Sequence, residues 1–101
     1  MFTLKETFII SLKPKGTKKV KGAPYFSSSL NRELFIHIDV DNEKYTSISD
    51  RATGYRLFNF AEKYDKIKEE DIEERINKFI QHYSISAIEK EFKRVEGLVL
   101  R

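Results

Sequence analysis

LFIHIDVDNEKYTSISDRATGYRLFNF, residues 34–60, is the stretch on which the fold turns. Leu34, Ile36, Ile38 and Val40 alternate with Phe35, His37, Asp39 and Asp41, the period of a strand with one apolar and one mixed face. Asp41, Asn42 and Glu43 are turn formers, so Tyr45 to Ser49 is expected to return as the next strand of a hairpin. Asp50, Arg51, Ala52, Thr53 and Gly54 make a second turn, with Gly54 able to supply positive φ. Tyr55 to Phe60 then completes a three-stranded meander.

Toward the C-terminus the period lengthens. Ile72, Ile76, Phe79, Ile80 and Tyr83 recur at i, i+4, i+7, i+8 and i+11, which predicts a helix from Glu69 onward. Glu69, Glu70, Asp71, Glu73 and Glu74 load its first turns with negative charge, favourable at the positive end of the helix dipole. Ser86 followed by Glu89 fits a capping box, and Ile85, Ile88, Phe92 and Val95 form a second stripe. A second helix is expected from about Ala87 to Glu96, ended by Gly97, with Leu98 to Leu100 as a short strand or a packed tail.

Toward the N-terminus, Phe2, Leu4, Phe8, Ile10 and Leu12 fall on one face of an extended chain. Glu6 interrupts that face, so the strand is expected to begin in earnest at Thr7. Residues 13–24 hold two Pro, two Gly and five Lys without an apolar period and read as a basic, mobile loop. The expected architecture is α+β in a single domain over residues 1–101: a four-stranded, mainly antiparallel sheet covered on one face by two C-terminal helices.

Composition excludes several chemistries. The 101 residues include no Cys, so no disulfide, thiolate nucleophile or Cys-ligated metal site exists. Eight Phe, five Tyr and no Trp point to a Phe-based core. No apolar run is long enough to span a bilayer and no secretory pattern opens the chain, so the expected compartment is the cytoplasm, that of the host cell if the protein is phage-encoded. The formal net charge is +3, yet residues 1–25 carry six Lys against one Glu, while residues 26–60 and 61–101 each sum to −1. The excess positive charge is local to the N-terminal quarter.

Lys13, Lys15, Lys18, Lys19 and Lys21 are accordingly the candidate partner- or phosphate-binding residues. Tyr25 follows them and is placed either to stack on a base or to anchor the loop onto the core. Gly16 and Gly22 do not have the spacing of a phosphate-binding P-loop. His37, Asp39 and Asp41, at i, i+2 and i+4, share a strand face, which makes a metal site conceivable, but the pattern reads more simply as a solvated face. A calcium loop opening at Asp39 fails at Lys44, where the turn needs Gly. Ser27 to Ser29 lie in no nucleophile motif, and no catalytic residue, metal or cofactor is expected.

Ile48-Ser49-Asp50-Arg51-Ala52-Thr53-Gly54-Tyr55-Arg56-Leu57, an extended segment turning at Ala-Thr-Gly and followed by a charged helix, resembles a pattern common in small accessory proteins of bacteriophages. Such proteins are typically non-enzymatic. Many occupy a surface on a host machine, including inhibitors of bacterial defence such as anti-CRISPR proteins. The resemblance implies a small binding protein that inhibits a host protein or a protein–nucleic-acid complex. The alternative is a direct nucleic-acid-binding module in which the five lysines contact phosphates and Tyr25 stacks.

Overall fold

Strand β3 (Arg32–Ile38) lies at the centre of the sheet, with Leu34, Phe35 and Ile36 fully buried between its two faces. It pairs antiparallel on one side with β4 (Thr46–Asp50), which is followed by β5 (Arg56–Phe60). On its other side it pairs with β2 (Thr17–Ser27), which in turn pairs with β1 (Glu6–Ser11). The structure, a computed structural model, describes residues 2–12 and 16–99.

The fold is α+β as expected, but the antiparallel sheet has five strands in the order β1-β2-β3-β4-β5. Residues 17–24, read as loop, belong to an eleven-residue strand. Lysines on a strand's open face leave no apolar alternation to detect, and Gly22 and Pro24 look like loop residues out of context. Both have places in the ladder. Leu12 N–H donates to Gly16 O at 3.0 Å, so by antiparallel alternation the even-numbered residues of β2 point their backbone groups toward β1. The β1 partnership ends at Gly22, and the N–H that Pro24 lacks would face the side that β1 has already left.

Helix α1 (Glu69–Tyr83) covers one face of the sheet, burying Ile72 and Ile76 with Leu34, Ile36, Ile48 and Ile67. A register shift between Ile48 and Ser49 inserts an extra residue in β5, so that Leu57 and Phe58 both pack on this core. Asp71 accepts the Lys68 N–H at 3.0 Å and closes the first turn of α1. Helix α2 (Ile85–Val99) buries Ile88, Phe92 and Val95 on the same side of the sheet, where Arg32 lies over the Phe92 ring at 4.0 Å.

The second helix differs from expectation at both ends. Ser84, with φ of 67°, closes α1 and opens α2: its N–H donates to Ile80 O, and its Oγ accepts the Ala87 N–H at 3.3 Å. Ser86 therefore lies inside the helix. Gly97 does not end it either, because α2 continues to Val99. Leu98 is helical, and Leu100 lies outside the described residues. Gly97 weakens a helix interior by only about 1 kcal/mol, too little to force a stop where the flanking residues favour continuation.

The face opposite the helices is closed by curling of the sheet. Phe8 stacks on Phe35 with ring centroids 4.3 Å apart and planes within 3°. The rings meet across β2 because Gly22 has no side chain: a Cβ there would lie 3.0 Å from the Phe8 ring and 2.7 Å from Ile36 O. Ser11 N–H donates to Gly54 O at 2.9 Å and Ser11 Oγ to Thr53 O at 2.6 Å. The β4–β5 turn is thereby fixed to the edge of β1, and Phe8 and Ile10 are buried without a helix above them.

Candidate binding surface

Lys18, Lys19 and Lys21 stand on a two-stranded ribbon. Pairing of β2 with β3 begins only at Gly22, so residues 17–21 are held by β1 alone. Phe8, Ile10, Leu12 and Val20 form the ribbon's inner face, packed toward Phe35, and Lys18 shares their side. The outer face alternates with it and presents Thr7, Ile9, Thr17, Lys19 and Lys21, all exposed. Lys21 Nζ donates to Thr7 Oγ1 at 2.8 Å across the strands. Among the described residues no carboxylate lies within 4 Å of Lys18, Lys19 or Lys21. Lys13 and Lys15 lie outside the described residues.

Tyr25 is not part of this surface. Its side chain turns toward α1, where the hydroxyl donates to Glu73 Oε2, and Phe2 meets the ring edge-on at 6.4 Å between centroids. Burial raises the phenol's pKa, and the adjacent Glu73 carboxylate raises it further. The anchoring alternative is thus the one the geometry carries. Glu73 also accepts the Ser29 N–H at 2.9 Å and the Ser27 hydroxyl at 3.1 Å, locking the β2–β3 turn to the helix. Burial alone would push the Glu73 carboxyl up, but these donors together hold it below its usual value.

His37 and Asp39 correct the expectation of a solvated face, being 2% and 5% exposed. The curl of the sheet covers their side of β3, and the polar atoms are satisfied internally. The His37 Nδ1 lies 2.9 Å from Ile38 O and therefore carries the proton; its Nε2 accepts from Ser49 Oγ at 2.8 Å. Desolvation lowers the imidazole's pKa and keeps the ring neutral. The Ser–His contact has the geometry of a nucleophile and its base, but Ser49 is completely buried and offers no approach to a substrate. Asp39 accepts from Ser47 Oγ at 2.7 Å and Arg56 Nη1 at 2.9 Å. Burial would raise its pKa, but these two donors hold it below the usual carboxylate value.

A third polar knot joins β3, β4 and α2. Arg32 makes a two-point contact with Asp50, Nε to Oδ1 at 2.5 Å and Nη2 to Oδ2 at 2.9 Å, and Nη2 also reaches Glu96 at 2.5 Å. None of these three clusters was legible locally, because the side-chain partners lie 8 to 64 residues apart in the chain. Among the described residues, no three His, Asp or Glu side chains converge as a metal-binding group. Among the described residues, no helix is long and apolar enough to cross a membrane. No protein-family model matches the chain, and comparison with curated proteins and with solved structures found no match either.

Proposed function

We propose that this protein works by binding and without chemistry, as a small inhibitor of phage type that occupies an anionic surface on a cytoplasmic host protein or protein–nucleic-acid complex. The contact element is the β1–β2 ribbon. The observation that supports this reading is the set of exposed lysines at positions 18, 19 and 21, held on a paired strand with no carboxylate within 4 Å among the described residues. Cations that no internal carboxylate neutralises are available to an external one and raise the association rate with a negatively charged partner. Anchoring of the ribbon to Gly54 fixes the lysines before binding, so little ordering entropy opposes association.

The test compares the wild type with the Lys18→Gln, Lys19→Gln, Lys21→Gln triple variant, whose unchanged circular dichroism and melting establish that the fold is kept. A partner retained from bacterial lysate by the wild type, absent with the variant and displaced by raised salt is the expected result. Retention indifferent to the three substitutions places the contact elsewhere.

A further inference from the structure

Resting on that reading of the ribbon, we infer that the anionic surface it fits is a nucleic-acid duplex, with the outer face of β1–β2 seated in the major groove. The first argument is shape. Two strands lie about 4.8 Å apart, and the roughly 12 Å major groove of B-form DNA admits a two-stranded β-ribbon. Residues 17–21 have no third strand beside them, and neither helix contributes to the covering of Thr7, Ile9, Lys19 or Lys21, all of which are exposed. The surface is therefore two strands wide, bordered along Ile9 to Ser11 by the Thr53–Gly54 turn and not by a further strand.

The second argument is chemistry. The outer face offers two ammonium groups and the hydroxyls of Thr7 and Thr17, with Ile9, 55% exposed, as its apolar contact. Glu6, the acid of β1, has the opposite parity and falls on the inner side. Lys19 and Lys21 are two residues apart on one strand face, a spacing of about 6.6 Å, so the two ammonium groups address separate phosphates or base edges. Lysine pairs with guanine O6 and N7 in the major groove, and an exposed aliphatic side chain suits the thymine methyl.

The same face argues against the other anionic partners. The cores of protein interfaces are depleted in Lys and anchored by aromatic residues and Arg, neither of which occurs at positions 7, 9, 17, 19 or 21. Single-stranded nucleic acid is held by stacking platforms. The nearest aromatic on this side of β2, Tyr25, is committed to Glu73 and Phe2.

Fluorescence anisotropy decides between these partners. The probes are a labelled 20-base-pair duplex, the single strand of the same sequence, and polyglutamate, each at 50 and 200 mM salt. The proteins are the wild type and the Lys19→Gln, Lys21→Gln variant. If each outer lysine neutralises one phosphate, the pair accounts for about a twelvefold fall in duplex affinity between the two salt concentrations, and the variant loses that part of the salt dependence. Tighter binding to the duplex than to the single strand, weakened at least tenfold at 50 mM salt in the variant, is the expected outcome. Preference for the single strand, or duplex binding untouched by the substitutions, overturns the inference. Binding to polyglutamate and not to the duplex overturns it while leaving the ribbon as a contact for acidic proteins; binding to none of the three removes the basis for both.

Discussion

Arg32 joins three elements that share no covalent neighbourhood: β3, which carries it, β4 through Asp50, and α2 through Glu96 and the Phe92 ring. Asp50 is completely buried, and apart from Arg32 its carboxylate is met by the Thr53 N–H and hydroxyl, both on Oδ2. The Asp50 hydrogen bonds, working against desolvation and supported by Glu96, raise the guanidinium's pKa, so Arg32 keeps its charge at any ordinary pH. Replacing Arg32 with Leu keeps much of the contact with Phe92 and leaves a buried charge without its cation. The expected loss is about 3 kcal/mol, the scale of a broken buried ion pair, read as a lower urea midpoint at an unchanged slope. Arg32→Lys is expected to recover only part of it, because an ammonium cannot engage both Asp50 oxygens at once. Equal stability of wild type and Arg32→Leu would show that Asp50 does not depend on this contact.

At the scale of elements, the ribbon is held by the turn that meets its edge. Gly54 has φ of 71°, and a Cβ there would fall 2.5 Å from Ile9 O and 2.8 Å from Ser11 N. Gly54→Ala therefore combines a left-handed conformation, itself costing about 1–2 kcal/mol in an L-residue, with a collision against the β1 backbone. The ribbon must shift to relieve it. Hydrogen exchange is the direct measurement: amides of β1 and residues 17–21 are expected to lose protection in the variant, while those of β3, β4 and α1 keep most of theirs. Uniform loss across the sheet would mean that the ribbon and the central strands open as one unit. Nothing in the local sequence marked this contact, since Gly54 and Ser11 are brought together only by the curl.

For the molecule as a whole, acid is the condition to which stability is most exposed. His37 is packed against Phe35, bonded to Ser49, and faced by Asp39, which favours its cation, and Arg56, which opposes it. Burial outweighs the carboxylate and lowers the folded-state pKa below 6.5. Between that lowered value and 6.5 the unfolded chain binds a proton that the folded chain refuses, so stability is complete above about 6.5 and falls as the pH drops through this window. Asp39 and Glu73 act in the same direction but later, their depressed pKa values making the loss fall below the ordinary carboxylate range. Urea midpoints taken at pH 7.5 and 5.5 should differ in the wild type. The His37→Gln variant, whose amide still offers Ser49 a partner, should be flatter over the same interval. A wild-type midpoint constant across it would mean that His37 is not held neutral.

Alternation in residues 34–60 and the helical stripes of 72–83 and 85–95 were enough to determine an antiparallel meander followed by two helices on one face, because these periods are short-range and each apolar residue reports its own side. The basic segment 17–24 carried no such report: its strand is specified by pairing with β1 and β3, and its solvent-facing lysines are indifferent to whether the backbone is extended or looped. The location of the local charge excess was likewise plain in the sequence, while its disposition on two faces of a ribbon depended on the register with β1. Only the tertiary structure decided that Tyr25 belongs to Glu73, that His37 and Asp39 are buried, and that Arg32, Asp50 and Glu96 form one knot. The physical reason is common to all three: burial of a polar side chain is decided by what curls over it and which distant partner satisfies it, and neither leaves a periodic trace in the chain.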